Sequence, residues 1–182
     1  MSVTVGLGTS AGVNVARSTI PELDALARAR PPHARDRLRL TTARSHVEIN
    51  GLDLLDLVRA VERHSVEQEI AERIAAGEAP IEDFSGQYMA LSLHELRKGL
   101  RGDPTGTSAR HFVLAPDDPR RDKITLLGCD CGIVECWFLL ARITLLDELV
   151  VWSEFEQFHR NWRYDLGPFV FEREAYLAAI RG

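Results

Sequence analysis

All three cysteines of the chain lie within eight residues, as Cys129-x-Cys131-x4-Cys136. Residues two apart on an extended backbone face the same side, so Cys129 and Cys131 can present their thiols together. The pattern is compatible with a metal site, with redox-active or nucleophilic thiols, and with cysteines that act only as small hydrophobic residues. The last interpretation is favoured, because free cysteine is among the residue types most often buried.

Ligand counting argues against a metal ion at this motif. A structural zinc site needs four ligands, and the motif supplies three sulfur atoms. His111 or His159 would have to complete the shell, and neither is close to the motif in sequence. We therefore predict no metal and no cofactor, and well below one equivalent of zinc in protein purified without added metal.

A second candidate site lies between Trp152 and Trp162, where polar and aromatic residues alternate. On a helix, Glu156 would lie one turn from His159 and Arg160, and a carboxylate beside an imidazole can act as a general base. The plainer interpretation is a surface ion pair between Glu156 and Arg160, worth roughly a few tenths of a kcal/mol. The candidate binding or functional cluster is thus Cys129, Cys131, Cys136, Trp152, Glu156, His159 and Arg160.

The local pattern around this second site predicts a helix. Ser153 and Glu156 have the spacing of a capping box, and Phe155, Phe158 and Trp162 recur at helical intervals. We expect these three aromatic side chains to be buried on one face of the helix. Replacement of a fully buried Trp162 by alanine would then cost about 3–5 kcal/mol.

Length and charge limit the classes of partner. The 182 residues suit one domain with a small appendage. The net charge is -5, whereas dedicated nucleic-acid binders are usually strongly basic, so no nucleic-acid partner is expected. The most apolar stretch, 133–151, contains four charged residues, which does not suit a membrane span. We expect a cytoplasmic protein whose partner is an unknown protein or small molecule.

The order of the predicted elements favours an α+β fold, an antiparallel β-meander packed with several amphipathic helices. Residues 1–44 are predicted to form an N-terminal extension with one short helix, and 45–182 a single α+β domain. Within the domain, an amphipathic helix over 52–64 precedes a second helical stripe that begins at a capping box, Ser65 and Gln68. Another capping box lies at Ser92 and Glu95, and a terminal helix is predicted over 172–181.

Residues 111–152 are predicted to form the antiparallel sheet, because the loops between the expected strands are short. The central strand is predicted over 133–144, since this run is apolar on both faces and needs cover on both. We expect Phe138, Leu140, Leu145 and Val151 to be mostly buried.

Four motifs, taken together, resemble those of a group of uncharacterised bacterial proteins. They are Ile49-Asn50-Gly51-x-x-Leu54, Leu127-Gly128-Cys129-x-Cys131-Gly132-x-x-x-Cys136-Trp137, Val151-Trp152-x-x-Phe155-x-x-x-His159-Arg160 and Gly167-Pro168-Phe169-x-Phe171. The resemblance covers residues 45–181 and is carried mainly by the cysteine motif. It implies a compact bacterial domain and no particular activity.

Two functions are compatible with the sequence. A non-catalytic binding or interaction protein is favoured, because the chain contains neither a phosphate-binding loop motif nor a G-x-S-x-G nucleophile motif. The alternative is a small metal-binding or thiol-dependent enzyme that uses Cys129, Cys131 and Cys136 with His159. The alternative requires the cysteine hairpin and His159 to converge in space.

Overall fold

The computed structural model describes residues 35–41, 46–101, 103, 115–160 and 162–181. Its strands are β1 (Leu38–Thr41), β2 (His46–Ile49), β3 (Leu52–Asp53), β4 (Tyr88–Ala90), β5 (Lys123–Cys129), β6 (Leu139–Leu145), β7 (Leu149–Gln157), β8 (Trp162–Arg163) and β9 (Phe169–Glu172). Its α-helices in these ranges are α1 (Leu54–Ala75), α2 (Leu93–Leu100) and α3 (Arg173–Arg181). The prediction of an α+β fold is confirmed. The predicted short N-terminal helix and residues 111–114, the start of the predicted sheet, lie outside the described residues.

A small antiparallel sheet, in the order β1-β2-β3, leads into α1. Asn50 and Gly51 connect β2 to β3 with φ angles of 57° and 82°, the conformation that favours Asn-Gly in two-residue hairpins. The Asp53 carboxylate then caps α1 by accepting a hydrogen bond from the Leu55 backbone at 2.8 Å. β1 lies within the predicted N-terminal extension, 1–44, yet it pairs with β2 of the predicted domain.

The two helical segments predicted after this turn are a single helix. α1 continues through Ser65, which therefore caps nothing. Between 61 and 68 the chain has no glycine or proline that would end the first segment, so the capping-box spacing there is coincidental. The predicted capping box at Ser92 and Glu95 does cap a helix, because the Ser92 hydroxyl accepts a hydrogen bond from the Glu95 backbone N–H at 3.3 Å.

A six-stranded antiparallel sheet carries the rest of the fold. Its order is β4-β5-β6-β7-β8, and β9 pairs with the remaining part of β7. The predicted meander with a central β6 is confirmed, but β6 begins at Leu139, because 134–136 form a 3-10 turn. Phe138, Leu140 and Val151 are buried as predicted, whereas Leu145 is only partly buried.

The predicted helix over 153–162 is wrong. The chain instead continues β7 as far as Gln157, turns at 158–160 and enters β8. The backbone of this segment pairs with β6 in the sheet. Such pairing between segments distant in sequence overrides a local capping pattern. Phe155 lies in the main core, whereas Phe158 packs with Phe138 in a separate cluster, so the aromatic residues do not form one stripe.

The C-terminal elements agree with the sequence pattern. The predicted short strand at 169–171 is β9, and the predicted terminal helix is α3, with Tyr176 and Ile180 buried and Leu177 partly buried. In the described part of the chain, every helix is too short or too polar to traverse a lipid bilayer.

Candidate functional site

The sulfur atoms of Cys129, Cys131 and Cys136 all lie within 4.8 Å of one another. Around a tetrahedral zinc ion with Zn–S bonds of ~2.3 Å, sulfur atoms are ~3.8 Å apart, so a closure of about 1 Å suffices to bring these atoms to bonding positions. Among the described residues, no histidine, aspartate or glutamate atom joins the group within the same limit. The fold therefore builds a cluster of three thiols.

Two consecutive tight turns between β5 and β6 place these thiols together. The first follows Cys129, whose carbonyl accepts from the Gly132 backbone at 3.2 Å. Gly132 has a φ of 91°, which glycine adopts without the strain that a side chain would bring. The second is the 3-10 turn at 134–136, where the Cys136 backbone donates to the Ile133 carbonyl at 3.0 Å. Cysteines at the two ends of the connection are thus neighbours.

The three thiols differ in exposure and in acidity. Cys129 is 5% exposed, whereas Cys131 and Cys136 are exposed, so the expectation of buried cysteines holds for one of them. Burial raises the pKa of Cys129 to about 12. A hydrogen bond with the backbone of Ile133 lowers the pKa of Cys131, and the Cys129 thiol lowers it further. Cys131 therefore reaches the thiolate form, which binds metals, more readily than Cys129 does.

The fold also brings His159 to this hairpin. Leu139 pairs with Gln157 where β6 begins and β7 ends, so the turn after β7 lies beside the residues that precede β6. The Nε2 atom of His159 donates to the Glu135 carbonyl oxygen at 2.6 Å, since a carbonyl can only accept. The ring packs edge-on against Phe138, with the centroids 5.4 Å apart. His159 thus anchors the residue before Cys136 and is not a member of the sulfur group.

Arg160 links the same hairpin to α1. Its guanidinium lies 5.3 Å from the centroid of the Trp137 ring, and it bonds both carboxylate oxygens of Glu69, at 2.9 and 3.2 Å. Trp137, which follows Cys136 directly, also packs edge-on against Trp162 with the centroids 5.9 Å apart. The residue after the last thiol is therefore fixed from two sides.

Two members of the predicted cluster lie away from the hairpin. Trp152 is fully buried, and its Nε1 donates to the Tyr176 hydroxyl at 3.3 Å. Glu156 is paired with Lys123 at 3.1 Å and not with Arg160. The predicted contacts of Glu156 are wrong, because the alternation of a strand decides which side chains meet. The members that do come together are Cys129, Cys131, Cys136, His159 and Arg160.

The sequence reasoning missed two buried charged groups. Lys123, 4% exposed, donates to the Glu154 carbonyl at 2.7 Å, and burial lowers its pKa. Glu62, with no exposed surface, accepts from the hydroxyls of Tyr88 and Tyr164 at 2.8 and 2.7 Å. Glu62 could have been found, because it interrupts an apolar repeat every four residues on α1. That repeat consists of Leu54, Val58, Glu62 and Val66.

Comparison with protein-family models, curated proteins and solved structures yields no match to this chain. The resemblance to the bacterial group therefore stays a prediction, and function has to be argued from the site itself.

Proposed function

We propose that this protein is a non-catalytic binding protein that holds one thiophilic metal ion, such as Zn²⁺, between Cys129, Cys131 and Cys136. The observation that carries the proposal is the mutual distance of the three sulfur atoms, at most 4.8 Å, in a connection of only a few residues. Thiolates are soft ligands that favour Zn²⁺ and Cu⁺ over Mg²⁺ or Ca²⁺.

The surroundings of the cluster support this proposal. Metal ligands are usually held by further hydrogen bonds and packing, which limit how far the ligands move when the metal leaves. Here His159 holds the Glu135 carbonyl, and Arg160 packs on Trp137, so both neighbours of Cys136 are restrained. On the other side of the cluster, Cys129 is fixed as the last residue of β5.

The proposal departs from the prediction of no metal, which rested on the three ligands in the motif and the lack of a fourth close in sequence. A zinc site with three protein ligands can complete its coordination with water, so a fourth ligand from the chain is not required. A low content in protein purified without added metal is compatible with uptake of one equivalent when zinc is supplied.

A thiol–disulfide function is the second candidate, because neighbouring thiols can also form a disulfide. One disulfide uses two sulfur atoms, and it would leave the third cysteine of this cluster without a role. The convergence of all three sulfur atoms therefore favours a metal over a disulfide.

Zinc titration of reduced, metal-free protein against a competing chromophoric chelator tests the proposal. We expect one Zn²⁺ per chain. Cys131→Ser and Cys136→Ser change exposed residues, so they should fold, and each should weaken zinc binding by more than the roughly 10–100-fold expected for loss of an outer partner.

Asp147→Asn is the control, because this exposed residue lies in the β6–β7 turn, at the end of β6 that is remote from the cysteine connection. This variant should bind zinc like the unaltered protein. Absence of zinc uptake, or equal uptake by the cysteine variants, would contradict the proposal. Disulfide formation with oxidised glutathione by a protein that takes up no zinc would favour the second candidate.

A further inference from the structure

We infer that a metal ion in this site keeps one coordination position open to solvent and binds there a neutral nitrogen donor, with imidazole as the simplest example. The inference rests on the proposed metal-binding function and adds to it the class of ligand that the metal would take.

The first argument is the orientation of the cluster. Cys129 is buried at the end of β5, whereas Cys131 and Cys136 are exposed. A metal ion bound by all three thiolates therefore has one buried ligand beneath it and two ligands at the protein surface. Zinc sites with three protein ligands use their fourth position for water or another molecule, and here that position faces outward.

The second argument is that nearby donor groups are already engaged. The Nε2 atom of His159 bonds the Glu135 carbonyl, and its ring packs edge-on against both Phe138 and Phe158, with centroids at 5.4 and 5.2 Å. Movement into the sulfur group would cost His159 this bond and both ring contacts. The carboxylate of Asp130 lies 3.7 Å from the Cys129 sulfur atom and is not part of the group whose ligand atoms all lie within 4.8 Å of one another.

Charge selects the type of external donor. Three thiolates and one Zn²⁺ together carry one negative charge, and the exposed carboxylates of Asp130 and Glu135 lie in the same connection. The positive charge of Arg160 is already balanced by the carboxylate of Glu69, with which it forms an ion pair. An additional anion would be repelled, whereas a neutral donor such as imidazole would not.

The test uses reduced protein loaded with Co²⁺ in place of zinc, because the visible d–d bands of Co²⁺ report the coordination of the metal. Imidazole and azide are titrated separately into the unaltered protein and into His159→Gln. Glutamine keeps an N–H donor for the Glu135 carbonyl but removes the imidazole ring. We expect imidazole to shift the bands saturably and similarly in both proteins, and azide to bind at least about tenfold more weakly.

Three results would overturn the inference. If only His159→Gln responds to imidazole, His159 is the fourth ligand. If neither protein responds, another group of the chain closes the site. If azide binds as tightly as imidazole, the charge argument is wrong. A protein that takes up no Co²⁺ and no Zn²⁺ would instead refute the proposed function, and the open position with it.

Discussion

The Nε2 atom of His159 donates a hydrogen bond of 2.6 Å to the backbone carbonyl of Glu135. This bond joins the β7–β8 turn to the residue that precedes Cys136 in the thiol cluster. His159 is therefore a positioning residue, which acts on the candidate metal site through the backbone.

Loss of this bond should weaken metal binding without abolishing it. His159→Ala removes the donor, and we expect zinc affinity to fall by roughly 10–100-fold, as for other outer partners of metal ligands. His159→Gln should lie close to the unaltered protein, because it can still donate to Glu135. Competition titrations with a chelator compare the three proteins. Equal affinities for the alanine and glutamine variants would show that the hydrogen bond does not matter.

The two tryptophans of the second predicted site should differ in their contributions to stability. Trp152 is fully buried, so Trp152→Ala should lower the free energy of unfolding by about 3–5 kcal/mol. Trp162 is only partly buried, packed on Trp137 and Phe84, and its replacement by alanine should cost about half as much. Urea denaturation measures both values. A Trp162→Ala variant as destabilised as Trp152→Ala would contradict this ranking.

The Lys123–Glu156 pair should behave as a buried ion pair. Lys123→Met leaves the Glu156 carboxylate buried without its cation and should cost about 3–5 kcal/mol. Lys123→Met combined with Glu156→Leu removes both charges and should be less destabilised than the single variant. A double-mutant cycle by denaturant unfolding measures the coupling. Additive effects would mean that the two charges do not interact.

All three tyrosines should resist ionisation in the folded protein. Burial raises the pKa of Tyr88, Tyr164 and Tyr176 above the usual value. The unfolded chain loses these protons near pH 10, whereas the folded chain keeps them. The stability that they contribute is therefore complete below pH ~10 and declines as the pH rises above it.

Tyrosinate absorbance and circular dichroism, followed together during an alkaline titration, test this prediction. We expect tyrosinate to appear only as the dichroism of the native state is lost. Ionisation with a midpoint near pH 10 in a protein of native dichroism would show that the hydroxyls are accessible.

The parts of the fold that were predicted correctly depend on local signals. The Asn50-Gly51 turn requires residues that tolerate positive φ, and Ser92 caps α2 through a bond within one turn. The meander followed from short loops, which allow only antiparallel pairing of neighbouring strands. For the turn and the cap, the decisive interaction lies within a few residues of the signal.

The prediction failed where contacts distant in sequence decide the structure. Residues 153–157 have a capping-box pattern, yet they form a strand because β6 lies alongside them. The same pairing of Leu139 with Gln157 brings His159 to the hairpin, and sequence spacing alone could not show this. The cysteine motif did identify three members of the site, but the distances between their sulfur atoms depend on the two turns after β5.

X-ray absorption at the zinc edge of the zinc-loaded, reduced protein tests the central claim most directly, because it counts the atoms bound to the metal. The proposal predicts three sulfur atoms at ~2.3 Å and one nitrogen or oxygen atom at ~2.0–2.1 Å. A zinc ion with fewer than three sulfur neighbours, or with only nitrogen and oxygen neighbours, would contradict a site built from Cys129, Cys131 and Cys136.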